Sequence, residues 1–296
     1  MDELIVDAQV HVWAPATVER PWAPGAETYA DGVENLSSAD REPLGPDELL
    51  GEMDAVGVDR AILVPPTFTG DDNSVALQGA RHHPDRFAVM GRIDLTEPQP
   101  DSVASWLETP GMLGVRLTFH WGAQRYWLHD GTADWFWPCA EEHDIPVMVF
   151  CPGDLERIAE VARTHPRLRL IIDHFALPLG VRGDGIGAVV DELLRLADLD
   201  NVAVKASALP SYVDEPAPFP SLHPHIERVV GAFGASRVFW GSELTRLPCS
   251  YAEVLALFAE DLESLSGEQR RSILGAGVTE WLGWPRPPTD DTNPVN

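Results

Sequence analysis

The chain has 296 residues, with 21 Lys and Arg against 47 Asp and Glu, so its formal net charge is −26. Hydrophobic residues make up 44% and charged residues 23%, a balance that excludes disordered and fibrous proteins. Because so acidic a surface repels phosphate backbones and anionic lipids, we expect neither a nucleic-acid nor a membrane partner. An anionic substrate would need a local cluster of Arg or Lys.

The three cysteines are too few and too scattered for a disulfide framework, and neither a signal peptide nor a membrane-spanning apolar run is visible. These observations predict a cytoplasmic protein whose partner is a small-molecule substrate. They leave open whether the chain forms a homo-oligomer.

Short apolar runs alternate with helical patterns along the chain. The predicted strands are 4–10, 60–66, 86–93, 113–119, 145–151, 168–173, 201–207 and 237–242. The predicted helices are 46–57, 72–84, 100–111, 132–143, 153–166, 187–198, 223–234, 250–262 and 266–274. Eight alternating strands predict an α/β fold, specifically a single (β/α)8 TIM barrel.

Two segments interrupt this alternation. Residues 13–45 are rich in Pro, Gly and polar residues and follow the first strand directly, which places them over the mouth of the barrel. Residues 285–296 have no core-forming pattern and are predicted to be a mobile tail. The barrel domain is therefore predicted over residues 1–284.

Polar residues stand at the predicted strand ends, where barrel enzymes carry their chemistry. Asp7, Gln9 and His11 are spaced by two, so strand alternation predicts that they share one face. The remaining strand ends carry Arg92, Arg116, His120, Asp173, His174, Lys205, Ser207 and Glu243, with Tyr212 and Arg246 just beyond. Because burying many ionisable groups is costly, the pattern indicates a functional site.

Three of these residues are predicted to be catalytic, namely His11, His174 and Glu243. Burial raises the pKa of a carboxylate and nearby cations lower it, and a base near neutrality suits the activation of water. The residues predicted to bind substrate are Arg116, Arg92, Gln9, His120 and Tyr212. An Arg fork suits a substrate carboxylate, although Arg116 and Arg92 equally fit ion pairs of the barrel wall.

Three further polar residues are predicted to support the site from behind. Asp7 is expected to orient His11 or Arg116. Asp173 and Lys205 are expected to form partners in the barrel wall.

The motifs DAQVHVW (7–13), GVR (114–116), DHFALP (173–178), VKAS (204–207) and WGSEL (240–244) occur in this order. Together they resemble the amidohydrolase-2 branch of the amidohydrolase superfamily, over residues 4–284. The resemblance implies a TIM barrel with its site at the C-terminal face. It also implies the chemistry of that branch, which includes lactonases and metal-dependent decarboxylases.

The motifs depart from the family pattern at three places. Gln9 replaces the first His of Asp-x-His-x-His, Glu243 replaces the strand-8 Asp, and strand 5 is apolar where many members carry a His. The metal ion that the resemblance implies would be held by His11, His174, Glu243 and Gln9. Because Gln is a poor zinc ligand, the expectation is no cofactor or one weakly bound zinc or manganese ion.

The leading hypothesis is a hydrolase that cleaves a lactone, an ester or a C–N bond of a small, carboxylated compound, with Glu243 as the general base. One alternative is a metal-dependent decarboxylase of the same family. Another is a barrel that binds ligand without catalysis, because a fold alone does not decide function.

Overall fold

The computed structural model describes residues 4–26 and 42–284. Its strands are β1 (Val6–Val10), β2 (Arg60–Leu63), β3 (Phe87–Gly91), β4 (Met112–Thr118), β5 (Val147–Phe150), β6 (Leu170–Ile172), β7 (Val202–Ser207) and β8 (Val238–Gly241). Its α-helices are α1 (Pro46–Val56), α2 (Ser74–His82), α3 (Pro100–Ala104), α4 (Phe136–Glu142), α5 (Leu155–Thr164), α6 (Asp184–Leu193), α7 (His223–Phe233), α8 (Tyr251–Ala256), α9 (Gly267–Arg271) and α10 (Gly277–Leu282).

The strands form one parallel sheet in chain order from β1 to β8. The sheet curls until its two edges meet, where the backbone N–H of Glu243 donates to the carbonyl of Gln9 at 2.9 Å. Helices connect successive strands. The predicted single (β/α)8 barrel is therefore confirmed.

Two layers of apolar side chains hold the barrel together. Side chains inside the barrel form one cluster, which includes Val6, Ala8, Ile62, Ala88, Met90, Met148, Ile171, Ala203 and Phe239. Their neighbours along the strands, such as Leu63, Val89 and Val204, pack against the surrounding helices. Both faces of each strand are thus buried, which explains why the strands read as continuous apolar runs.

Asp7 closes the seam between the first and last strands. Its carboxylate accepts hydrogen bonds from the backbone N–H of Ser242 at 2.8 Å, from that of Gln9 at 3.0 Å, and from the Tyr251 hydroxyl at 2.8 Å. The expectation that Asp7 orients His11 or Arg116 is therefore wrong. The pairing of β1 with β2 shifts register between Asp7 and Val10, and this irregularity breaks the simple alternation of faces.

The helices differ from the prediction mainly at their ends. The pattern at 100–111 splits into α3 and a 3₁₀ turn at Trp106–Glu108. The helix predicted at 132–143 begins at Phe136, four residues after its predicted start. The Asp130 carboxylate accepts a hydrogen bond from the backbone N–H of Thr132, which favours a turn before the helix. The pattern at 250–262 continues from α8 into a π-helical turn at Leu257–Asp261.

The predicted tail at 285–296 lies outside the described residues, as does the 27–41 part of the predicted mouth loop. Within the described ranges, none of the helices combines the length and apolarity that crossing a bilayer requires.

Candidate active site

One cavity at the carboxyl ends of the strands brings most of the predicted site residues together. It is lined by His11, Arg116, His120, His174 and Glu243, among others. Its volume is about 20 Å³, roughly the room that one water molecule needs.

Glu243 lies between two histidines at the seam of the barrel. Its Oε1 is 2.9 Å from Nε2 of His11, and its Oε2 is 3.6 Å from Nε2 of His174. The guanidinium of Arg246 lies 3.8 Å from Oε1. Because the side chain of Glu243 is fully buried, water screens these interactions weakly.

The backbone at both Glu243 and His174 is strained. Glu243 has φ 59° and His174 has φ 52°, which is left-handed backbone for a residue with a Cβ. Such a conformation costs about 1–2 kcal/mol per residue. Strain of this kind is typical of functional sites, and here it aims both side chains at one point.

The charge state of Glu243 differs from the expectation of a base near neutrality. Burial by itself raises the pKa of this carboxyl, but His11, His174 and Arg246 outweigh burial and hold the pKa well below its usual value. Glu243 is therefore a carboxylate throughout the neutral range.

The two histidines are held from behind by different groups. Nδ1 of His11 lies 2.6 Å from the carbonyl of Val64, which only accepts, so Nδ1 of His11 carries a proton. Nδ1 of His174 lies 2.7 Å from the hydroxyl of Ser207, which can donate or accept. Burial lowers the pKa of His174 to about 3, so this imidazole is neutral.

Arg116 reaches the cavity from β4 and is anchored by Asp173. Its Nε donates to Oδ2 of Asp173 at 3.0 Å, while Oδ1 of Asp173 lies 2.8 Å from Nζ of Lys205. Burial raises the pKa of Asp173, but Lys205 and Arg116 outweigh it and lower the pKa overall. Because the bond to Asp173 uses only Nε, the terminal nitrogens of Arg116 can bind an anion.

Apolar and aromatic side chains form the rest of the wall. Trp13, Phe68, Phe150 and Leu179 line the cavity. The ring of Phe150 makes edge contacts with His120 and with His174, at centroid distances of 4.8 and 5.3 Å. Burial, together with Arg116, Arg92 and Arg246, lowers the pKa of His120 to about 2, so His120 is neutral as well.

Three residues predicted to bind substrate lie elsewhere. The side-chain oxygen of Gln9 accepts from the ammonium of Lys205 inside the barrel. Arg92 donates to the carbonyl of Gly70 at 2.8 Å and lines a separate cleft. The buried hydroxyl of Tyr212 donates to the carbonyl of Leu177 at 3.1 Å, and Tyr212 borders a third groove.

Three residues that touch the site were not among the predicted catalytic or substrate-binding residues, although Arg246 and Ser207 were noted at the strand ends. Arg246 follows Glu243 by three residues, a spacing that one turn brings together. Phe150 lies in a strand whose sequence is apolar, and Ser207 carried no signal beyond its place at a strand end. Their roles depend on the contacts between strands.

The site residues do not fit a resident metal ion well. Among the residues at 4–26 and 42–284, no three His, Cys, Asp or Glu side chains are arranged to hold a metal. Glu243 instead contacts both imidazoles directly, and the oxygen of Gln9 is occupied by Lys205. Two imidazoles and a carboxylate would suit zinc by type, but here the carboxylate lies against the imidazoles, 2.9 Å from His11 and 3.6 Å from His174.

Comparison with known proteins agrees with the barrel and its site. The family model Amidohydro_2, described as amidohydrolase, matches residues 6–276. L-fucono-1,5-lactonase of Burkholderia ambifaria is 30% identical over 243 residues, which are 80% of this chain and 79% of that protein. 4-Sulfomuconolactone hydrolase of Rhizobium radiobacter is 25% identical over 247 residues, which are 80% of this chain and 74% of that protein.

Among solved structures, an amidohydrolase from Burkholderia multivorans with bound zinc is similar to this chain, with a TM-score of 0.79 and 22% identity. The match covers 95% of this chain and 100% of that chain. This likeness supports the fold alone. The family resemblance noted from the motifs is confirmed by the family model.

Proposed function

The chain belongs to the Amidohydro_2 family of amidohydrolases and is an enzyme of the lactonase and hydrolase type, and we propose that it hydrolyses the cyclic ester bond of a small, negatively charged lactone. The observation that carries this proposal is the buried carboxylate of Glu243, held between His11 and His174 in a cavity that two arginines line.

The two arginines support a negatively charged substrate. Arg116 and Arg246 line the cavity and are almost completely buried in a chain of net charge −26. Buried cations in so acidic a protein create a local positive potential that attracts anions. A carboxylate would bind Arg116 through its terminal nitrogens, while the aromatic wall contacts the ring of the lactone.

In the proposed reaction, Glu243 accepts a proton from a water molecule as the water oxygen bonds to the lactone carbonyl carbon. The N–H group of the neighbouring His174 stabilises the negative charge on the carbonyl oxygen, while Arg246, which lines the cavity with Arg116, binds the substrate carboxylate. The ring C–O bond then breaks, and the leaving oxygen takes the proton back from Glu243. The product is an open-chain hydroxy acid.

This mechanism assigns no step to a metal ion. The donor groups that would hold one are engaged with one another and with Lys205, which supports a site with no metal or a weakly bound one. The hydrogen-bond donor that polarises the carbonyl is a side chain in this proposal.

A panel of lactones tests the proposal. It contains a carboxylated five-membered lactone, its methyl ester, an uncharged sugar lactone and an open-chain amide, assayed by acid release and by mass spectrometry of the product. We expect ring opening with addition of one water, fastest with the free carboxylate. Release of carbon dioxide from an aromatic acid would instead favour the decarboxylase, and binding without turnover would favour a non-catalytic barrel.

A further inference from the structure

Ser207, the last residue of β7, contacts the back of His174. Its Oγ lies 2.7 Å from Nδ1 of His174, and both side chains are almost fully buried. A neutral imidazole has one N–H and one acceptor nitrogen, and a hydroxyl has both capacities. The direction of this hydrogen bond therefore decides which nitrogen of His174 carries the proton.

The hydrogen-bond partners of Ser207 indicate that its hydroxyl is the donor to His174. In the described ranges, its hydroxyl makes no hydrogen bond other than the one with His174. If Nδ1 of His174 donated to Ser207, the buried hydroxyl proton of Ser207 would lack an acceptor, at a cost of about 1–3 kcal/mol. If Ser207 donates to Nδ1, both groups are satisfied.

The other side of the ring favours the same direction. Nε2 of His174 lies 3.6 Å from Oε2 of Glu243. A lone pair on Nε2 would face a carboxylate and be repelled, whereas an N–H there is attracted. The ring is almost fully buried, which favours the neutral imidazole with a single proton to place.

We propose that Ser207 is a positioning residue whose hydroxyl donates to Nδ1 of His174 and fixes the tautomer that carries its proton on Nε2. His174 then presents a neutral N–H donor at the wall of the cavity. Resting on the proposed function, this donor stabilises the carbonyl oxygen as negative charge develops there. His11 differs from His174 in this respect, because Nδ1 of His11 donates a hydrogen bond to the carbonyl of Val64 instead of accepting one.

The tautomer has a consequence for metal ions. A protonated Nε2 cannot coordinate a metal, because coordination needs its lone pair. Metal binding at His174 would move the proton to Nδ1 and leave the Ser207 hydroxyl without an acceptor. Ser207 thus stabilises His174 as a hydrogen-bond donor rather than as a ligand.

The first test is a long-range ¹H–¹⁵N spectrum of the metal-free protein with labelled histidine, without ligand. The His174 signals are identified by their loss in His174→Gln. We expect a protonated Nε2 and an unprotonated Nδ1. A protonated Nδ1, alone or together with Nε2, overturns the proposal. This test needs no substrate, so it decides the tautomer even if no lactone is hydrolysed.

The second test removes the donor in Ser207→Ala and restores it in Ser207→Thr. In Ser207→Ala we expect the Nδ1 signal of His174 to shift and kcat on the best lactone to fall about tenfold, with KM changed much less, because one neutral hydrogen bond is lost. Ser207→Thr should recover the wild-type spectrum. Ser105→Ala, at an exposed site on the outside of the barrel, is the matched control and should change neither quantity.

If Ser207→Ala leaves both the His174 spectrum and kcat unchanged, Ser207 does not position the ring. If Ser207→Ala fails to fold, the wild-type spectrum still decides the tautomer.

Discussion

Oε1 of Glu243 and Nε2 of His11 lie 2.9 Å apart across the seam where β8 meets β1. Residues 232 positions apart in the chain thus come into direct contact, because the barrel closes on itself. Both groups depend on that closure. Changes that affect the pair or the seam beneath it are therefore the most informative tests.

Glu243→Gln should reduce kcat on the best lactone by about 10²–10⁴-fold, the usual cost of losing a general base. Gln keeps the shape of the side chain and places no new atom in the cavity, so the melting temperature should change little. Glu268→Gln, in the first turn of α9, is the control and should keep full activity. Comparable activity in Glu243→Gln would exclude Glu243 as the base.

The pH dependence of hydrolysis should reflect the low pKa of Glu243. A carboxyl with a lowered pKa loses its charge only when the pH falls well below the usual value of 4.5. We therefore expect kcat/KM to stay level as the pH falls from about 7 to about 5. An acid limb centred between pH 6 and 7 would contradict this, since it would require a base with a raised pKa.

Arg246→Gln should raise KM for the carboxylated lactone by about 10–100-fold, the range expected for one hydrogen bond to a charged group. KM for the uncharged methyl ester should change much less. Arg182→Gln is the matched control, because Arg182 pairs with Asp214 and does not line the cavity. Equal losses on both lactones would mean that Arg246 does not recognise the negative charge.

Removal of divalent metal should leave most of the activity in place. After dialysis against a chelator, metal content is measured by elemental analysis and turnover on the best lactone is measured again. We expect far less than one metal ion per chain and little loss of rate, because the donor groups are engaged with one another. Stoichiometric zinc or manganese, with activity lost on removal and restored on return, would favour the metal-dependent alternative.

Asp7→Asn should change how stability varies with pH. Burial raises the pKa of Asp7 from 3.8 to about 6, although its hydrogen bonds to Ser242, Gln9 and Tyr251 oppose the shift. The folded protein therefore binds this proton more tightly than the unfolded chain, and Asp7 makes stability fall as the pH rises from about 4 to about 6.

In Asp7→Asn this fall in the free energy of unfolding should disappear. A shift of the pKa from 3.8 to about 6 corresponds to a difference on the order of 3 kcal/mol, because each pKa unit is worth about 1.4 kcal/mol. Denaturant unfolding of both proteins across this pH range measures it. Asp130→Asn is a useful contrast, because the contacts of Asp130 with Thr132 lower its pKa and give the opposite sign. Parallel profiles for Asp7→Asn and wild type would mean that Asp7 is ionised in the fold with its usual affinity.

The sequence by itself determined the barrel and the family. Continuous apolar runs alternating with helical patterns are a local property, and β/α alternation leaves few architectures open. The strand-end position of His11, Arg116, His174 and Glu243 was equally visible, because parallel strands carry their chemistry at their carboxyl ends. Their catalytic roles stay predictions.

Only the tertiary structure decided how these residues are paired. The carboxylate of Asp7 contacts Ser242 and Tyr251, and the register of β1 shifts between Asp7 and Val10, neither of which a spacing of two could reveal. Closure of the barrel places the side-chain oxygen of Gln9 within hydrogen-bond distance of Lys205. It also places Arg246 and both histidines around Glu243, so the pKa of Glu243 is lowered where a base near neutrality was expected. Charge states depend on distances between strands, and a single sequence contains none of those distances.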